Sequence, residues 1–417
     1  MGSTPSNTTN TTWRVDTGLA AKLAENAAAL SLLIITVLRT LQSCSGLREN
    51  SVAFPFRFVT IVAMVVMAVL QMASTRALGQ NSISVGDFSI PRPHHPQPVI
   101  AVLALNEGTE TTDFLVPYAV LRRAEVATVE AVAKSPGRVT LMPALAVELQ
   151  HDMASFDRRY PKGADYVIVP AMHSDSDPVI TGWIRTQAAK GAVIVAICSG
   201  ALVAGKAGLL DHRRFAGHWY DRTTLLARHP SAVHLPNRRY VADNGTVSTT
   251  GVSASVPVSV ALVEAIAGRE RAELVAASIG VSDWGAVHDG APFRIDVGNA
   301  TTLAVNALMF WRHETIAIPV VNGVDDFQLA LAADAWSRTY RSTAMAEAAG
   351  PVRTRSGLTL VPASPAAHRD AYRVPLLADA LPASQLRHTL ADISQRYGDD
   401  TRKLVELTME YDDRGGY

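Results

Sequence analysis

From Pro98 onward, short β-branched apolar runs alternate with segments of helical period, the pattern of a parallel sheet covered by helices on both faces. Val99–Leu105 reads as a buried first strand, Thr112–Arg123 as a helix, and Val126–Ala133 and Arg138–Leu141 as further strands. Tyr166-Val167-Ile168-Val169-Pro170 is apolar throughout and stops at proline, as a central strand buried on both faces does. Pro178–Lys190 follows as an amphipathic helix. Ala192–Ile197 is another apolar strand, running directly into Cys198-Ser199-Gly200-Ala201 and the helix-forming Leu202–Leu210.

Beyond Gly268, Arg269–Val281 and Asn299–His313 have helical patterns. Thr315–Gly323 leading into Asp326-Phe327 then echoes Val99–Asn106 leading into Asp113-Phe114, and Gly357–Pro362 echoes Arg138–Pro143. A partial duplication of the first half of the domain is the expectation; two unrelated strands sharing an Asp-Phe pair are the alternative. No second cysteine-bearing turn follows, and Ala378–Tyr397 and Thr401–Tyr411 read as helices. The copy is expected to pack on the complete domain as a pseudo-dimer within the chain, through Leu329, Leu331 and Trp336.

The N-terminal part has a different grammar. Residues 1–57 combine a Ser/Thr/Asn-rich tail with the apolar run Ala27–Leu38, shorter than the roughly 20 residues a spanning helix needs. Arg57 precedes the uncharged Phe58–Ala73 and the small residues Ala77 and Gly79, which marks 58–79 as a signal peptide or an uncleaved membrane anchor. Either form places the rest of the chain outside the cytoplasm, with membrane contact only through this segment. Residues 80–97 form a Pro-rich linker whose His94-His95 pair reads as solvated.

Charge narrows the partners. The 417 residues hold 38 Lys+Arg and 38 Asp+Glu with no basic stripe, so nucleic acid is not expected as a partner. The two cysteines, Cys44 and Cys198, form neither a disulfide framework nor a metal cluster, and no metal or cofactor is expected. Chemistry therefore centres on Cys198. A cysteine on a tight strand-to-helix turn is held clear of the sheet with its thiolate near a helix N-terminus, which predicts a depressed thiol pKa. A small buried packing residue is the alternative.

The ordered segments Val167–Pro170, Ala196–Ala201, Ala207–Asp211, His218-Trp219 and Thr249–Ser255 resemble ThiJ/PfpI proteins of the class I glutamine amidotransferase-like superfamily. The likeness covers 98–268 and is nearest to the sensor domain of AraC-type regulators and to isonitrile hydratases. It implies a flavodoxin-like three-layer α/β sandwich, with the partial repeat in 269–417, and a small-molecule ligand or substrate. It also implies a site in which Cys198 is the nucleophile and His218 its partner. Asp113 maps by motif, and Glu107 by position, onto the acidic residue beside the thiol. The backbone of Met172 and Ser199 would hold an oxyanion.

Three features depart from that pattern. Ala171-Met172 stands where the family has Gly-Gly or Gly-Ser, Ser199 replaces the histidine of the peptidase branch, and no basic helix-turn-helix follows Gly268. The resemblance thus implies either a thiol-dependent hydrolase, hydratase or lyase, or a ligand sensor without turnover; a displayed scaffold is the third reading.

Overall fold

The computed structural model describes residues 89–412. The N-terminal tail, the Ala27–Leu38 run, Cys44 and the segment 58–79 lie outside the described residues. Among the described residues no helix is long and apolar enough to cross a membrane.

The complete domain begins with β1 (Val99–Ala104), the short β2 (Thr109–Glu110) and helix α1 (Thr111–Ala124). Then come β3 (Thr128–Ala133), β4 (Gly137–Met142), β5 (Ala146–Leu149) and α2 (Met153–Arg159). The centre of the sheet is β6 (Tyr166–Val169), α3 (Pro178–Ala189), β7 (Val193–Ala196) and α4 (Gly200–Lys206). β8 (Arg214–Phe215), α5 (Arg222–Arg228) and β9 (Val233–His234) precede the hairpin β10 (Tyr240–Asp243) and β11 (Thr246–Thr249), and α6 (Ser255–Ala267) ends the domain.

Six strands form the main sheet in the order β10-β11-β7-β6-β1-β3. All neighbours are parallel except the β10–β11 hairpin. Period-2 alternation splits the core into two layers. Ile100, Val102 and Ile168 face α1 and α6, whereas Ala101, Leu103, Val167 and Val169 face α2 and α3. Helices on both faces make this the flavodoxin-like three-layer sandwich expected from the sequence.

The second part runs through α7 (Arg269–Ile279), α8 (Val297–Leu308), β12 (Glu314–Pro319), α9 (Asp326–Ser337) and β13 (Ser342–Glu347). It continues with β14 (Val352–Arg353), β15 (Thr359–Leu360), β16 (Tyr372–Arg373), α10 (Ser384–Tyr397) and α11 (Asp399–Met409). The strand order β13-β12-β16 is all parallel and reproduces β3-β1-β6. Both central strands pair with a later strand that starts at a tyrosine, Ile100 with Tyr166 and Ile316 with Tyr372. The half-repeat therefore copies three strands of the sheet and the first crossover helix.

Two helix boundaries and the linker are among the differences from the sequence expectation. The helix after Cys198 ends at Lys206 rather than Leu210, because Gly208 takes the left-handed conformation (φ 78°). The helix expected from Ala378 starts at Ser384, since Pro382 lacks an N–H and disfavours helix at Leu381. The linker histidines are also not free in solvent. The His94 and His95 amides donate to Asp165 Oδ1 at 2.7 and 2.9 Å, and the His95 ring pairs with Oδ2 at 3.0 Å.

Two joints fasten the halves together. β15 pairs antiparallel with β5, so one sheet, β14-β15-β5-β4-β2, is built from both. Helices α1 and α9 lie side by side, with Leu329, Leu331 and Trp336 of α9 fully buried. They run antiparallel, because each N-cap carboxylate meets an arginine at the other helix's C-terminal end. Glu110 Oε1 accepts from Arg338 Nη2 at 2.7 Å, and Asp325 Oδ2 from Arg123 Nη2 at 2.5 Å. Counted from their helix starts, Thr111 and Asp326, Glu110 is equivalent to Asp325 and Arg123 to Arg338. That count corrects the sequence alignment of Asp113-Phe114 with Asp326-Phe327, which is out of step by a pair of residues. Gln328, not Asp326, occupies the position of Asp113.

Candidate active site around Cys198

Cys198 sits between β7 and α4 with φ 52°, a left-handed conformation rare for a side chain with a Cβ and typical of a nucleophile elbow. The turn is closed by Gly200 N–H donating to the Ile197 carbonyl at 2.7 Å. A Cβ at Gly200 would collide with the Val169 carbonyl oxygen, so only glycine lets α4 approach β6 this closely. The Cys198 amide donates to Thr249 Oγ1 at 3.0 Å, tying the elbow to β11.

Carboxylates surround the thiol. Asp113, in the first turn of α1, is fully buried; its Oδ2 accepts from the Ala171 amide at 3.1 Å, and its Oδ1 has no hydrogen-bond partner. Glu110 caps the same helix, with Oε2 accepting from the Asp113 amide at 2.5 Å. Ser199 Oγ donates to Asp221 Oδ2 and lies 3.9 Å from Cys198 Sγ. The cation of the cluster comes from the half-repeat. Arg338 bridges Glu110 and Asp334 (Nε–Oδ1 2.6 Å), and Asp334 Oδ2 accepts from Thr112 Oγ1 at 2.7 Å.

This environment reverses the expected acidity of the thiol. Burial, then the charges of Asp113, Asp221 and Glu110, push Cys198 well above the ordinary thiol value, against a smaller opposing pull from Arg338. The short helix behind the elbow does not outweigh them. Burial also raises Asp113 to about 7, although the Ala171 amide and Arg338 work in the other direction. Glu110 is raised by burial and by its acidic neighbours Asp334 and Asp113.

His218 is buried, and among the described residues no hydrogen bond joins it to Cys198. Its Nε2 has no hydrogen-bond partner, and burial lowers its pKa while Glu410 and Asp221 oppose the shift. It belongs to a wall formed by the end of α11. There Trp219 Nε1 donates to the Leu407 carbonyl at 2.9 Å, Ser253 Oγ to the Glu410 carbonyl at 2.6 Å, and Glu410 Oε2 is buried without a partner.

The structure thus brings Cys198, Ser199 and Asp113 together, with His218 on an adjoining wall. Glu107 is exposed on the loop after β1, and the buried glutamate of that region is Glu110. Met172 is half-buried in an isolated antiparallel bridge with Thr109. The flanking bonds, Glu110 N to Ala171 O and His173 N to Gly108 O, make this a non-hydrogen-bonded pair, so the Met172 N–H points away from Thr109. The Ala171 amide, by contrast, is committed to Asp113. Sequence reasoning missed Glu110, Asp221, Asp334, Arg338 and Glu410. Glu110 was readable as a cap preceding Thr111-Thr112-Asp113, whereas Arg338 lies 228 positions from its partner and leaves no local signal. Among the described residues no group of three or more His, Cys, Asp or Glu side chains is arranged to hold a metal ion.

Fold and site together define an α/β protein with a cysteine elbow ringed by buried carboxyls. Residues 99–265 match the DJ-1/PfpI family model, which supports the resemblance of this domain to the ThiJ/PfpI superfamily. An isonitrile hydratase of Pseudomonas putida is 32% identical over 94 residues, covering 22% of this chain and 40% of the hydratase. The match thus spans well under two thirds of that relative. Drosophila melanogaster DJ-1beta is similar in structure, with 19% identity, 45% of this chain and 100% of that chain covered, and a TM-score of 0.41. An AraC family transcriptional regulator from Pseudomonas putida gives 22% identity, 43% and 97% coverage, and a TM-score of 0.38.

Proposed function

We propose that the Cys198 site binds a small, uncharged electrophile and adds water to it through a covalent thioester-like or thioimidate intermediate. The observation that carries this reading is Asp113: a buried carboxyl at about 7, with one oxygen unpartnered, beside a thiol held in its protonated form. Such a pair suits addition of S–H to an electrophilic carbon, which in an isonitrile takes up both the sulfur and the proton. Sulfur bonds to the electrophilic carbon as the Asp113 carboxylate takes the thiol proton. The resulting carboxylic acid then passes that proton to the substrate. Water next adds to the same carbon, and sulfur leaves with a proton, restoring the thiol.

An isonitrile is the substrate class that the name of the Pseudomonas putida relative suggests, and it would emerge as an N-substituted formamide. Incubating the full chain with an aryl isonitrile and following formamide formation tests this. Cys198→Ser is expected to abolish turnover. Asp113→Asn should lower it by about a hundredfold or more, the usual weight of a general acid–base group. Thiol alkylation should show a midpoint above about 8.5. A second reading, ligand sensing without turnover, is favoured by the 5% exposure of Cys198 and by the committed Ala171 amide. Saturable isonitrile binding without formamide would select it.

Two further parts of the reading rest on separate support. The half-repeat stands in for a second subunit, supported by the equivalent α1–α9 contacts. The domain lies outside the cytoplasm, supported only by the sequence of 58–79.

A further inference from the structure

We infer that the groove at the Asp325 end of the α1–α9 pair is a second ligand site, taking a small oxyanion such as a phosphate or a carboxylate. The groove has a volume of about 570 Å³ and includes Arg123, Arg271, Asp325, Gln328 and Arg355 in its walls. It stands where the half-repeat would hold its own version of the Cys198 site, because Asp325 and Gln328 are the positional equivalents of Glu110 and Asp113. No elbow fills this place. The loop carrying Leu377–Pro382 forms the remaining wall.

Its charge is inverted relative to the Cys198 site. The acid Asp113 is replaced by the amide Gln328, and the acid Asp334 has Ala119 as its equivalent on α1. Meanwhile Arg271 of α7 and Arg355 of the β14–β15 loop join Arg123. Against these three guanidinium groups stand Asp325 and the exposed Asp379.

Asp325 is already spent. Its Oδ1 accepts from the Phe327 and Gln328 amides, and its Oδ2 is shared by Arg123 at 2.5 Å and Arg355 at 3.5 Å. Arg271 is anchored through Nε and Nη2 to the Ala124 carbonyl at 3.0 and 2.5 Å, and among the described residues its Nη1 has no hydrogen-bond partner. Fixed guanidinium groups with donors to spare are the chemistry that recognises carboxylate and phosphate oxygens.

Isothermal titration of the full-length chain with sodium phosphate and, separately, sodium succinate, at constant ionic strength with a chloride control, tests this and distinguishes the two oxyanions. Saturable binding of at least one of them at about millimolar Kd or tighter is expected. Arg355→Glu should weaken it about tenfold or more, with Arg355→Ala intermediate. The Arg355 side chain is 64% exposed, so both variants should fold, which unchanged urea midpoints will verify. Cys198→Ser should bind as the parent does, whatever becomes of the hydratase reading. Absence of saturation with both anions, binding indifferent to Arg355→Glu, or binding abolished by Cys198→Ser would overturn the inference.

Discussion

The two ends of the α1–α9 pair share a backbone plan and a capping carboxylate–arginine pair, and differ in what surrounds that pair. At one end Glu110, Arg338 and Asp334 form a buried network against a cysteine elbow; at the other Asp325, Arg123 and Arg355 border an open groove. The repeat preserved the strand–cap–helix unit, because β1–α1–β3 and β12–α9–β13 each need an N-cap carboxylate and a covered apolar face. It did not preserve the surroundings. What becomes buried beside the cap therefore decides whether its carboxylate joins a proton-handling cluster or an arginine-rich surface.

The largest expected effect comes from removing the arginine at each end in turn. Arg338→Met leaves Glu110, 8% exposed, and Asp334, fully buried, without their cation, and should cost about 3–5 kcal/mol at pH 8. Arg123→Met strands only Asp325, which keeps Arg355 at 3.5 Å and the Phe327 and Gln328 amides, and should cost less, about 1–3 kcal/mol. Urea denaturation of the two variants measures the difference. Equal losses would break the comparison.

Next in size is the pH dependence. The Asp113 carboxyl stands at about 7 in the folded chain and near 3.9 when unfolded. Between about pH 4 and 7 the unfolded chain has released a proton that the folded chain retains, so stability falls as pH rises through this window and levels off above it. Asp326, raised to about 6 by burial despite hydrogen bonds from Ser356 and Thr354, adds a fall that ends earlier. Asp113→Asn should make the decline shallower by roughly 2–4 kcal/mol, since each pKa unit between folded and unfolded chain is about 1.4 kcal/mol. Urea midpoints across that range in the parent and the variant test this; identical slopes would remove Asp113 from the account.

How much of this was legible in the sequence follows from where each determinant lies. The sheet was readable because fully apolar runs such as Tyr166–Val169 and Val193–Ala196 are local signals. The elbow was readable because Cys198 and Gly200 stand beside one of those runs. The half-repeat was seen through its strand, but a shared Asp-Phe pair misaligned its helix, and only the caps Glu110 and Asp325 set the true register. The sign of the Cys198 shift was out of reach. It depends on burial and on carboxyls from α1 and from Asp221, which converge only on folding. Arg338 was hidden for the same reason, since a C-cap arginine looks solvated until its partner is known.

The smallest expected effect is also the sharpest comparison of the two ends, and it comes from placing an aspartate at Gln328, the equivalent of Asp113. Gln328 is 8% exposed and donates from Nε2 to the Leu377 carbonyl at 3.2 Å, a bond an aspartate would lose. That loss should cost about 1 kcal/mol. Yet the new carboxylate would face Arg123, Arg271 and Arg355 rather than other acids, and opposite charges favour the ionised form. Gln328→Asp is therefore expected to titrate at or below the ordinary value of about 3.9, in contrast to Asp113 at about 7. Because its folded value would be depressed, it should add stability above that pH and lose it on acidification, the reverse of the Asp113 contribution. NMR titration of the labelled side-chain carboxyl reads the value directly. A midpoint near 7 would mean that helix position, not the surrounding charges, sets the acidity at both ends.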